Sequence, residues 1–164
     1  MASRVTTYGA SISFSPQWWS YVSSTRIMVA SFCNVQLANE EIADKVAMSA
    51  QELLENAVKY SASPDDNVTL EFQIHEGESI VLEVRNRANR SQIEGLRAHF
   101  AEISEGDPLM AYLARMQRIA QNPEAEGSQL GLARIRYETG CDLEMRIDDD
   151  VITMRVEFPL AGKE

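Results

Sequence analysis

The sequence is short of the residues that build metal sites and disulfide frameworks. It holds two cysteines, Cys33 and Cys141, far apart and in no ligand-like spacing, and two histidines, His75 and His99. That excludes a histidine-based metal centre and fits a cytoplasmic chain with reduced thiols. Positive charge is also scarce: 15 Lys and Arg face 25 Asp and Glu, for a net charge of −10. A nucleic-acid surface needs a basic patch, so no nucleic-acid partner is expected. No apolar run approaches the ~20 residues of a membrane span, so no membrane partner is expected either. Met1-Ala2-Ser3-Arg4-Val5 has no apolar signal core. There is no internal repeat and no low-complexity tract.

What is present suits one domain over residues 1–164. Apolar residues make up 45% of the chain, enough for a core of its own. Ala10 to Ser15 alternates as a short strand, and Pro16 suits the first turn of a helix. Trp18, Trp19, Tyr21, Val22, Ile27, Met28, Val29, Phe32 and Val35 predict a first helix from about 17 to 36. So apolar a helix should be largely buried, with part of it available as a homodimer surface. Residues 10–37 thus form an N-terminal strand and an aromatic helix.

Asn39 followed by Glu40 and Glu41 is a helix start, an Asx cap with acids in the first turn. Val68 to Ile74 and Ile80 to Val84 alternate about the turn Glu76-Gly77-Glu78-Ser79, a hairpin with one face buried. Ile93, Leu96, Phe100 and Ile103 mark a third helix, and Leu109 to Ile119 a fourth. Leu130 to Tyr137 predicts a fifth, stopped by Gly140. Leu143 to Ile147 and Ile152 to Phe158 form a second hairpin about Asp148-Asp149-Asp150, closed by Pro159. Strands come in hairpins and not singly between helices. The fold class is therefore α+β, a two-layer α/β sandwich with a mostly antiparallel sheet and helices on one face.

The second helix carries two patterns. Ile42, Val46, Ala50, Leu53, Ala57 and Tyr60 form an apolar row, while Glu52, Glu55, Asn56 and Lys59 recur on another face. Such a polar face can simply meet water, or it can bind. Asn86 extends the inward row of Leu82 and Val84, so an amide ends that strand beside the helices. It reads equally as a turn-forming Asn and as a ligand.

Glu52-Leu53-Leu54-Glu55-Asn56-Ala57-Val58-Lys59-Tyr60-Ser61 resembles the asparagine box of the GHKL ATPases. Gyrase, Hsp90, MutL, histidine-kinase ATP domains and anti-sigma-factor serine kinases belong to that superfamily. Gly127-Ser128-Gln129-Leu130-Gly131-Leu132, followed by a helix, resembles its second glycine box. The resemblance spans roughly residues 35 to 160 in matching element order. The helical insert between Asn86 and Gly127 most resembles small stand-alone bacterial members, the SiaB-type kinases of partner-switching pathways.

The resemblance implies a Bergerat-type ATP-binding fold that takes ATP and Mg²⁺. Asn56 matches the metal-binding asparagine, an oxygen ligand of the kind Mg²⁺ prefers. Glu52 matches the carboxylate that orients or deprotonates a nucleophile, the catalytic position. Lys59 would approach phosphate from the same row. Gly127, Leu130, Gly131 and Leu132 would meet the phosphates at a helix start, where backbone amides favour anions. Residues Asn122 to Gln129 would form the lid. Asn86 would accept the hydrogen bond that the family's Asp takes from the adenine amino group. The chain departs from the family here: Asn86-Arg87-Ala88-Asn89-Arg90 stands where Asp-x-Gly-x-Gly is usual, and Gln129 replaces a common glycine.

Three functions follow from that resemblance. The first is a stand-alone protein serine/threonine kinase acting on a small anti-sigma-antagonist-like regulatory protein. The second is a degenerate module that binds a regulatory partner without ATP turnover. The third is the ATP domain of a split histidine kinase, for which no phosphoacceptor helix is present.

Overall fold

The computed structural model describes residues 6–123 and 130–160. A single five-stranded sheet, every neighbouring pair antiparallel, forms one layer, in the order β1-β2-β3-β5-β4. The strands are β1 (Thr7–Phe14), β2 (Val68–His75), β3 (Ser79–Arg87), β4 (Leu143–Asp148) and β5 (Val151–Pro159). Five α-helices are described: α1 (Tyr21–Leu37), α2 (Glu40–Lys59), α3 (Arg90–Ser104), α4 (Pro108–Gln121) and α5 (Gly131–Thr139). The α+β sandwich expected from the grouping of strands into hairpins is the architecture observed.

Alternation makes the sheet two-faced. Val68, Leu70, Phe72 and Ile74 of β2 are buried, as are Ile80, Leu82 and Val84 of β3 and Ile152, Met154, Val156 and Phe158 of β5. Each such side chain withdrawn from water stabilises by roughly 1.5–3 kcal/mol. The opposite face carries polar pairs such as Arg85 and Glu71 at 2.5 Å. β1 begins three residues before the expected Ala10. Thr7, Gly9, Ser11 and Ser13 form its outer row, which apolar counting passes over. At Gly9 the strands approach closely: a β carbon there would stand 2.4 Å from the Phe72 carbonyl oxygen.

Side chains or glycine close these helix ends, and only Asn39 and Gly140 were expected from the sequence. Asn39 Oδ1 accepts from the Ile42 amide at 3.2 Å, and Glu40 and Glu41 fill the first turn of α2. Asn89 and Gln92 make a reciprocal capping box at the start of α3, which therefore begins three residues before Ile93. Asp107 caps α4 through the Met110 amide, with Pro108 in the first turn. Gly140 ends α5 in the left-handed region at φ 70°.

The first helix departs from expectation. Pro16–Trp18 is a 3-10 turn, and α1 proper starts at Tyr21. It is not largely buried. Val22, Thr25, Val29 and Cys33 form its only fully buried row, against α2 and the sheet, while Trp18, Trp19, Tyr21, Ile27 and Val35 are exposed. Its apolar residues are spread around the helix, and a helix packed on one side can bury only one stripe of them.

Candidate functional site

α2 crosses the sheet with Leu53, Leu54 and Ala57 in the core. That fixes the direction of its polar face. Glu52 stands on the side facing α5, and its carboxylate lies against the start of that helix. A β carbon on residue 131 would stand 2.2 Å from Glu52 Oε2 and 3.0 Å from its carboxyl carbon. Glycine at this position is therefore what gives the carboxylate its seat. One turn further on, Arg134 Nη1 donates to Glu52 Oε1 at 3.1 Å. Glu52 and the glycine-box helix, far apart in sequence, thus form one unit.

The surroundings tune the carboxylate. The Glu52 side chain is 13% exposed. Burial pushes its carboxyl above the usual range, the charge of Glu55 pushes in the same direction, and Arg134 and Arg26 oppose them. Arg134 also donates to Glu138 at 2.8 Å, so its charge is shared. On the other flank Arg26 of α1 donates to Gln51 Oε1 at 2.5 Å, and Gln51 Nε2 donates to Glu55 Oε1 at 2.8 Å. Arg26, Gln51 and Arg134 were not singled out in the sequence. The one available signal was Arg134, a cation one helical turn after Gly131.

The remaining expected residues fall as follows. Asn56 is half-buried one turn after Glu52, and among the described residues its side chain makes no hydrogen bond. Lys59 is exposed, with its ammonium 5.5 Å from the Tyr60 ring centroid. Leu130 precedes α5 and caps it with no side-chain bond. Leu132 is buried in the core, so only its backbone faces the site. Gly127 and lid residues 124–129 lie outside the described residues.

Asn86 is 4% exposed. Its Nδ2 donates to the Tyr60 carbonyl at 3.0 Å and, more weakly, to the Arg87 carbonyl at 3.4 Å. Both neighbours are acceptors, so the amide nitrogen must face them. Asn86 thereby ties the end of α2 to the end of β3. Gln92 adds a second tie, donating to the Ser61 carbonyl at 3.0 Å. The connection after Asn86 borders a cleft of about 600 Å³ lined by Ala88, Asn89, Ile93, Arg97 and Asp150, among others. Where the resemblance would place a glycine loop, the chain turns directly into capped α3.

Among the described residues no group of three His, Cys, Asp or Glu side chains is arranged to hold a metal ion. No described helix is long and apolar enough to cross a membrane.

No protein-family model and no curated protein matches the sequence. Among solved structures the chain is similar to a chain in the crystal structure of the SiaB-SiaC complex from Pseudomonas aeruginosa. The TM-score is 0.64 over 94% of this chain and 89% of that chain, at 14% identity. The likeness is one of fold.

Proposed function

We propose that this protein is a GHKL-type partner-switching regulator that binds ATP with Mg²⁺ on the α2–α5 face and phosphorylates a small regulatory protein on serine or threonine. The observation that carries this reading is the seating of Glu52 against Gly131. Two stretches that resemble the asparagine and glycine boxes meet at a half-enclosed carboxylate whose proton affinity is raised. The fold likeness to a chain of a two-protein complex supports a protein partner.

The residues fit the group they would hold. Asn56, whose side-chain oxygen has no partner among the described residues, lies one turn from Glu52 on the same helix and is suited to a hard cation. The first amides of α5, with Lys59, would meet phosphate. Asn86 keeps its Oδ1 as an acceptor for an amino group, because its nitrogen is held by Tyr60. Bound ATP·Mg²⁺ would supply the phosphoryl group and neutralise its charge. Glu52 would take the proton from the partner's hydroxyl, a task that a carboxylate of raised pKa performs better near neutrality than an ordinary one. Arg134 would hold Glu52 in position and favour its carboxylate form, which is restored once the proton passes to solvent.

A second reading is a partner-binding module without turnover. Asn86 favours it, since its amide serves as a structural tie and the usual glycine loop is replaced by α3. One experiment separates the two. The protein is incubated with terminally labelled ATP, Mg²⁺ and a small protein captured on it from cell extract. Transfer of label that is lost in Glu52→Gln supports the kinase. Binding of the small protein with no transfer supports the module.

A further inference from the structure

We propose that Glu52 is an internal latch on the nucleotide site: in the empty protein its carboxylate holds the place at the start of α5 that a phosphate group must take, and nucleotide binds only as that carboxylate withdraws. The inference rests on the nucleotide-binding reading of the α2–α5 face and adds a regulation of it.

The seat suits an anion, and one of the chain's own anions is in it. α5 begins with no side-chain cap on Leu130 and no acid in its first turn. The first amides of a helix favour negative charge, and here that charge comes from another helix. Glu52 Oε2 fills the space in front of Gly131, with the carboxyl carbon 3.0 Å from where a β carbon would stand. The other oxygen, Oε1, accepts from Arg134 Nη1 at 3.1 Å. The side chain is mostly enclosed, so the carboxylate is packed into the seat and does not merely pass over it. A phosphate brought close to Gly131 meets this carboxylate first, and two like charges in one seat repel.

The hold is of a kind that yields. Burial and the charge of Glu55 both disfavour the ionised carboxyl where it sits. Arg134 divides its charge, since its Nε donates to Glu138 at 2.8 Å. Withdrawal from Gly131 need not break the pair with Arg134. A guanidinium has five N–H donors, enough to keep Glu52 on one side while meeting phosphate on the other. The carboxylate stays positioned for proton transfer and only the seat is cleared. A closed latch lowers the apparent affinity by the fraction of molecules in which the seat is free, so one closed nine times in ten weakens binding about tenfold.

The test is calorimetric titration of ATP with Mg²⁺ into four forms of the full chain. Glu52→Ala empties the seat, and Glu52→Gln leaves in it a neutral group of the same size. Glu55→Ala removes an equal charge one turn away, from an exposed residue of the same helix. Both Glu52 variants, folded by circular dichroism, should bind ATP more tightly than the wild type, the alanine variant at least tenfold. Glu55→Ala should stay within threefold of the wild type. Equal affinity in the wild type and both Glu52 variants overturns the latch and leaves the nucleotide reading standing. A gain in Glu55→Ala as large as that in Glu52→Ala also overturns it, because a general loss of negative charge would then suffice. Absence of binding in all four forms overturns the latch and the nucleotide reading together.

Discussion

The carboxylate of Glu52 occupies the space that a side chain at Gly131 would need, with Oε2 2.2 Å from the position of the missing β carbon. Glycine here serves an interaction between helices and does not serve backbone freedom, since α5 has ordinary helical geometry from this residue on. Gly131→Ala should therefore displace Glu52 from Arg134 and cost about 1–3 kcal/mol, the range for a side chain forced into filled space. In a Glu52→Ala background the same change should cost little, because alanine suits a helix better than glycine. A double-mutant cycle by urea denaturation measures the coupling. Simple additivity would contradict the contact.

Asn86 offers the sharpest contrast with the family it resembles. Replacing it by the family's own Asp removes the donor to the Tyr60 carbonyl and leaves two oxygens facing each other in a buried setting. Asn86→Asp should destabilise the fold by about 1–3 kcal/mol, the penalty for an unsatisfied buried group. A fall in the denaturation midpoint checks this. A variant as stable as the wild type would show that the tie between α2 and β3 contributes nothing.

The pH dependence follows from the direction of the Glu52 shift. Its carboxyl holds a proton more readily in the folded protein than in the unfolded chain. This group's contribution to stability thus rises as pH falls from neutral through its folded pKa, and levels off below the ordinary 4.5. Glu52→Gln removes the burial cost of the charge while keeping an acceptor for Arg134. It should melt higher than the wild type at pH 7, by roughly 2–4 °C for a gain of about 1 kcal/mol. The advantage should shrink as pH is lowered towards 4.5. Melting curves from pH 4 to 8 read this directly, and an advantage that grows on acidification would reverse the assignment.

The two thiols should separate in reactivity. Cys33 is fully buried, and burial pushes its thiol up to about 11. Cys141 is half-exposed after the end of α5. With a maleimide at pH 8, one equivalent should label Cys141 quickly, and Cys33 only on unfolding. Peptide mass mapping identifies the site; early labelling of Cys33 would mean that α1 opens readily from α2.

Much of this architecture was legible because local chemistry repeats it. Alternation of Val68 to Ile74 and Ile152 to Phe158 marks strands whose inward faces are buried, and Asn39 announces the helix it caps. The exposure of α1 was not legible. Its apolar content exceeds what one face can bury, and only the packing shows which residues are left out. At the site, Glu52 and Gly131 were each visible as members of a box, but their contact was not. The sequence suggested that Gly131 would admit a ligand's phosphate, whereas Glu52 already sits against it. Arg134 and Arg26 stayed hidden because a cation on a helix surface has no pattern of its own. Asn86 kept two readings until the Tyr60 carbonyl showed where its amide points.

The proposed function rests first on nucleotide binding by the α2–α5 face. Its most direct test is calorimetric titration of ATP into the purified protein, with and without Mg²⁺, for the wild type and Asn56→Ala. The account predicts saturable, Mg²⁺-dependent binding to the wild type, weakened at least tenfold in Asn56→Ala. No heat of binding at millimolar ATP, or binding unchanged by Mg²⁺ and by Asn56→Ala, would contradict it.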